Sequence, residues 1–141
     1  MLIRSLAAAV AVSCAAAFAV PAAAQDADLS KAPPPAPYAA VSSLVELPDF
    51  LPGLGTLYVD PETLPAGPFL GYDHDGKLSA TIYMVPIADL EAGTAFDDLA
   101  VGAPEVTSVD IYYNAGHPGV EEPHAHVVLL HDADAKARLA E

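Results

Sequence analysis

Cysteine, tryptophan and basic residues are what this chain has least of. The one cysteine is Cys14, and tryptophan is absent. Cys14 lies in an apolar N-terminal run, so removal of that run leaves no disulfide, no thiolate ligand and no cysteine nucleophile. Lysine and arginine together number five, against nineteen aspartates and glutamates. Such a chain has no footprint for phosphate backbones, which excludes nucleic acid as a partner and leaves cations as the natural counter-ions. There is also no Gly-x-Ser-x-Gly elbow, no Gly-rich phosphate loop and no dinucleotide fingerprint. No carboxylate pair is singled out by spacing for glycoside chemistry, so no residue is assigned as catalytic and an enzyme is the less favoured class. Any hydrolase or oxygenase activity would run through a bound metal.

What is present begins with a leader. "MLIR" places Arg4 ahead of the apolar run "SLAAAVAVSCAAAFAV", and "PAAAQ" offers an Ala-x-Ala cleavage site ending at Ala24. The expectation is a secretory signal peptide over 1–24 and a periplasmic or extracellular mature protein with no membrane association. The alternatives are an uncleaved anchor, disfavoured by the Ala-rich composition and Pro21, and lipidation at Cys14, disfavoured because apolar residues continue well past it. Cleavage would remove Arg4, making the formal charge one unit more negative than the −14 of the whole chain.

Residues 25–37, "QDADLSKAPPPAP", read as an extended, poorly ordered Pro-rich linker. A single globular domain is expected over 38–141. "VSSLVEL", "GTLYVD", "FLGY", "KLSATIYMV", "EVTSVDIYYN" and "HAHVVLLH" read as strands from β-branched, aromatic and alternating residues. "DHDG", with its Asp75-Gly76 pair, is a hairpin turn, and His74 at its tip reads as exposed and incidental. "IADLEAG" after Pro86 predicts a brief helix stopped by Gly93, and "AFDDLA" a second short turn. The tail "DADAKARLAE" predicts fraying or one helical turn, without a function. The fold class expected is α+β, mainly β: a small antiparallel sheet with a C-terminal hairpin and one or two short helices.

Four of the five histidines fall between positions 117 and 131. In "GHPGVEEPHAH", Pro118 and Gly119 suit the centre of a type II turn, and Pro123 suits a strand start. The turn residues have a structural reason there; the histidines have none. On a strand, His124 and His126 share one face, roughly 6.5 to 7 Å apart. Pairing with the preceding strand should set Val127 and Leu129 beside Val109, Ile111 and Tyr113 as a buried apolar face. The opposite face then gathers Asp110, Tyr112, Asn114, His124 and His126, with His131 on the apolar side. The candidate metal ligands are His117, Glu122, His124 and His126, with Glu121 as an alternative carboxylate. Tyr112 and Asn114 are the candidates for holding a ring N–H or a bound water. Imidazole with carboxylate suits zinc, copper, nickel or iron. Affinity should fall with acidification, because free imidazole protonates near pH 6.5. Val128 and Leu130 continue the histidine face as an apolar one, which leaves open a purely structural role, inside the domain or at a subunit contact.

"GPFLGYDHDGKLSATIYMVPIADLEAG" and "VDIYYNAGHPGVEEPHAHVVLLH" together resemble a small family of bacterial, often exported domains of unknown function with a Gly-His-Pro-Gly turn and a Pro-His-x-His strand. The resemblance covers about 47–131 and implies a shared fold and assembly into homo-oligomers. It implies no reaction, so His117, Pro118, Gly119, Pro123, His124 and His126 carry over as signature positions only. A weaker, site-level likeness is to cupins, metal-dependent enzymes with a His-x-His strand. Here "VVLLH" follows His126 where a cupin has Glu, and a second cupin motif is missing.

Overall fold

The computed structural model describes residues 27–141; the leader read over 1–24 lies outside them. Seven strands form one antiparallel sheet in the order β1-β3-β4-β5-β7-β6, with β2 also paired to β3. They are β1 (Ala39–Ala40), β2 (Phe50–Leu51), β3 (Gly55–Val59), β4 (Phe69–Tyr72), β5 (Leu78–Pro86), β6 (Ser108–Asn114) and β7 (His124–Leu130). Three short helices, α1 (Val41–Leu44), α2 (Ile87–Glu91) and α3 (Ala135–Leu139), complete an α+β, mainly β architecture. Among the described residues no helix is long and apolar enough to cross a membrane.

β5 occupies the middle of the sheet, and Leu78 through Val85 are buried on both faces, which is why the strand reads as a nearly continuous apolar run. It joins β4 through the expected turn. Gly76 takes φ +71°, and the Asp73 carboxylate accepts the backbone N–H groups of Asp75 and Lys77. His74, read as incidental, has a structural use: its ring stacks on Phe50 at 3.7 Å.

One sheet face holds the main core, in which Val59, Phe69, Ile82, Met84, Val128 and Leu130 are packed together. α1 closes this core through Val41, and α3 closes it through Ala135 and Leu139. The C-terminal tail is therefore structural: Leu139 is fully buried. Arg138 beside it donates to Asp73 at 2.7 Å and to both carboxylate oxygens of Asp132 at 2.9 and 2.8 Å.

Several expectations are corrected. "VSSL" forms α1 rather than a strand; Ser43 returns its hydroxyl to the Ala40 carbonyl, and Val41 turns into the core. "AFDDLA" makes no helical turn; residues 94–107 cross the other sheet face as a loop, held where Gly102 donates to Thr81 and Tyr83 to the Ala100 carbonyl. The Pro-rich segment is docked rather than free: Ala32 donates its backbone N–H to the Gly76 carbonyl, Leu78 donates to that of Ser30, and Pro34 is buried.

The C-terminal hairpin has the expected register, with Val127 opposite Ile111, Leu129 opposite Val109 and His126 opposite Tyr112. Its faces are reversed. His124, His126, Val128 and Leu130 turn inward, whereas Val109, Ile111 and Tyr113 are 49%, 70% and 64% exposed. The physical reason lies in the covering segments: helices and loops from elsewhere in the chain cover the histidine side of β7, whereas on the other side loop 94–107 covers β4 and β5 and meets β7 only at its end, where Thr107 donates its backbone N–H to the Leu130 carbonyl.

Candidate metal centre

His124 opens β7 and His126 follows it on the same face, so strand geometry alone aligns the two rings. The structure stacks them with centroids 4.9 Å apart and Nε2 atoms 2.9 Å apart. His117 comes from the loop between β6 and β7. The Pro118-Gly119 turn closes with reciprocal His117–Val120 backbone bonds of 2.9 and 3.0 Å, and Gly119 takes φ +89°. This turn packs against Val45 so closely that a Cβ on Gly119 would stand 2.9 Å from its Cγ1, so glycine is required on two counts. His117 is thereby set edge-on to His124 and His126, at centroid distances of 4.9 and 5.6 Å. One ring nitrogen from each of the three lies within 4.8 Å of the others. A tetrahedral zinc site, with Zn–N near 2.0 to 2.1 Å, separates its nitrogens by roughly 3.3 Å, so the His124–His126 pair needs to open only slightly.

The outer nitrogens decide the tautomers. His124 Nδ1 is 2.7 Å from the Glu122 carbonyl, which can only accept, so this nitrogen carries the proton and Nε2 keeps its lone pair. His117 Nδ1 meets the Pro118 carbonyl at 3.1 Å, with the same consequence. In the metal-free pair His126 must donate from Nε2 to His124, and its Nδ1, 3.0 Å from the Tyr112 hydroxyl, then accepts. A cation held between the rings would require the other tautomer of His126, with Nδ1 donating to the Tyr112 oxygen and Nε2 left as the ligating nitrogen. No buried side-chain polar atom among the described residues is left without a partner, so the cluster is satisfied as it stands.

Burial, reinforced by the His124 and His117 imidazoles, pushes the His126 pKa down to about 4. The neutral ring is the ligating form, so at His126 protons begin to compete with a metal only near pH 4 rather than near 6.5. The same shift links to stability. The unfolded chain binds a proton at this position that the native state refuses, so the metal-free protein should lose about 2 to 3 kcal/mol between pH 6.5 and 4, and no more from this ring at lower pH. Urea midpoints at pH 7.5, 5.5 and 4.5 check this, and His126→Gln should flatten the slope over that interval. Equal slopes for the two proteins would contradict it.

Of the other residues read from the sequence, Tyr112 places its hydroxyl 3.0 Å from His126 Nδ1. Asn114 holds no ring nitrogen: its side-chain oxygen accepts the Gly116 N–H and starts the loop. Glu122 contributes its carbonyl instead of its carboxylate, and neither Glu121 nor Glu122 joins the three-nitrogen group; both border a recess beside His124. His131 lies apart, with Nδ1 2.7 Å from the Glu105 carbonyl and Nε2 2.8 Å from the Thr81 hydroxyl. It anchors the loop over β5. The sequence reading missed the surroundings of the cluster. Val45, Leu47, Leu51 and Leu54, from a stretch read as strand and connection, pack partly buried against the core and line an apolar cavity whose wall also includes His117 and His126.

No family model matches the sequence, and no curated protein does. Among solved structures, the crystal structure of a hypothetical protein, TTHB210 from Thermus thermophilus, is 41% identical, covering 67% of this chain and 88% of that one with a TM-score of 0.58. The chain belongs to the family of that protein. The shared region accounts for most of the described fold, and the relative's description names no ligand or activity. The open sheet, with β6 as an edge, also separates this fold from the closed barrel in which cupins hold their metal.

Proposed function

We propose that this protein is an exported metal-binding domain that holds one divalent transition metal ion, zinc, copper, nickel or iron, through His117, His124 and His126. The observation that carries the reading is the convergence of three ring nitrogens within 4.8 Å. The outer nitrogens of His117 and His124 face carbonyls, and that of His126 faces a hydroxyl that can accept once a metal is bound. Neutral imidazoles without thiolate suit these borderline ions. Membership in the exported bacterial group suggested by the Gly-His-Pro-Gly and Pro-His-x-His signature fits the same reading. Elemental analysis of the untagged chain from Gln25 onward, purified without chelator and again after incubation with zinc or copper, tests it. Near one equivalent of metal is expected, and none under either condition would overturn it.

A second reading, a homo-oligomer, is favoured by a different surface. β6 is an edge strand whose outward residues Val109, Ile111 and Tyr113 are mostly uncovered. An antiparallel pairing of two β6 strands centred on Ile111 would set Val109 of one copy against Tyr113 of the other and close both edges. Sedimentation should then show a dimer for the native chain and a monomer for Ile111→Lys. A monomeric native chain would remove this reading and leave the metal site untouched.

A further inference from the structure

Beside the triad is a cavity of about 350 Å³ between α1, β3, β4 and the Pro118-Gly119 turn. None of its lining residues is charged, in a chain with nineteen acidic side chains. Its walls are aliphatic and proline side chains with Phe69 and Met84, and its polar groups, Tyr112, Asn114, His117 and His126, come from the β6–β7 hairpin. Leu44 and Leu64 line it while remaining 42% and 45% exposed, so they mark its mouth.

Two physical consequences narrow the occupant. A cationic ligand would need a carboxylate in the lining, and there is none. Three neutral imidazoles leave the full charge of a divalent ion uncompensated next to this apolar space, and an anion is the group that such a charge attracts. The volume has room for roughly a dozen non-hydrogen atoms, at the ~30 Å³ that a water-sized group takes up in a liquid. A cavity that is apolar over most of its wall, with its polar groups confined to the hairpin side, suits an amphiphile lying in one orientation.

We propose that the cavity binds a medium-chain aliphatic monocarboxylate, its chain along the Leu57, Val59 and Phe69 wall and its carboxylate on the metal held by His117, His124 and His126. This rests on the metal-binding reading for the head group, whereas the chain site rests on the cavity alone. A shorter anion with the same head, such as acetate, lacks the apolar contact and should bind far more weakly.

The test is calorimetric titration of decanoate into the mature chain, with and without one equivalent of zinc. Zinc content is measured separately by elemental analysis. Decanoate should bind at least tenfold more tightly to the zinc-loaded protein than to the metal-free one, and acetate should not displace it. Leu44→Asp/Leu64→Asp, a pair of changes at exposed mouth positions, should keep the fold and the zinc and lose decanoate binding. Zinc retained with no decanoate binding, or with binding that the mouth variant leaves intact, would overturn the proposal while the metal reading stands. Decanoate affinity that is the same with and without bound zinc would overturn the placement of the head group. Failure to retain zinc would sink the metal reading and this proposal together, and the elemental analysis identifies that case. A dimer that the mouth variant converts to monomer would make a second copy the occupant and also overturn it.

Discussion

His124→Ala/His126→Ala should abolish metal binding, from near one equivalent to below a tenth, while far-UV circular dichroism remains that of a sheet protein. The reason is geometric. These two rings supply the pair already within 2.9 Å of each other, and His117 on its loop cannot hold an ion alone. A graded control comes from Tyr112→Phe. It removes the hydroxyl that must accept the His126 Nδ1 proton in the metal-bound tautomer, and outer partners of this kind are worth about 10- to 100-fold in metal affinity. A Tyr112→Phe chain with unchanged affinity would mean that His126 does not ligate through Nε2. Metal retained by the double alanine variant would place the ion elsewhere, with the acidic surface as the first place to look. If the two alanines loosen the hairpin, His124→Gln/His126→Gln keeps polar atoms in the buried positions and should still lose the metal.

Arg138→Ala should cost about 2 to 3 kcal/mol of stability. Arg138 bridges Asp73, which is 5% exposed at the β4–β5 turn, to Asp132 after β7, so one guanidinium joins the hairpin to the C-terminal helix. Its own side chain is about a quarter exposed, which screens part of the interaction and keeps the figure at the low end for a buried pair. Burial alone would raise the Asp73 carboxyl; the Lys77 N–H, the Arg138 guanidinium and the Asp75 N–H outweigh it and hold the pKa below the usual range. Hydrogen bonds from Arg138 and Lys77 hold Asp132 well below that range also. A folded-state pKa below the unfolded one contributes stability that is present above about pH 4 and lost on further acidification. The native chain should therefore weaken in two steps, His126 above pH 4 and the aspartates below it, and Arg138→Ala should blunt only the lower step. Denaturation midpoints from pH 7.5 to 2.5 separate the two. An Arg138→Ala stability within about 0.5 kcal/mol of the native one would show that the network contributes no more than an ordinary surface pair.

Much of the sheet could be read from local pattern. β4 and the Asp75-Gly76 turn, the α2 helix stopped at Gly93, and the register of β6 on β7 all follow from short-range chemistry: turn residues, capping, and period-two alternation that forbids a one-residue slip. Where local pattern failed, distant packing decided. "VSSLVEL" carries strand-like residues, yet Val41 is needed over the core and four residues turn into α1. The tail "AKARL" is too short to be a stable helix alone and exists because Leu139 and Arg138 have partners far back in the chain.

The candidate site divides along the same line. Short-range chemistry is enough to put His124 and His126 on a common face, His117 on a tight Pro-Gly turn and Tyr112 across from His126, because strand pleat and turn geometry act over a few residues. Which face of the hairpin points inward was not legible there, since both faces are half apolar and the choice depends on where α1, α3 and loop 94–107 lie. The folded chain was needed to show that His124 and His126 are buried, that the Glu122 carboxylate stays outside the cluster, and that an uncharged cavity takes in His117 and His126. Burial, the lowered His126 pKa and the shape of a cavity are properties of elements brought together from distant parts of the chain, and no local spacing encodes them.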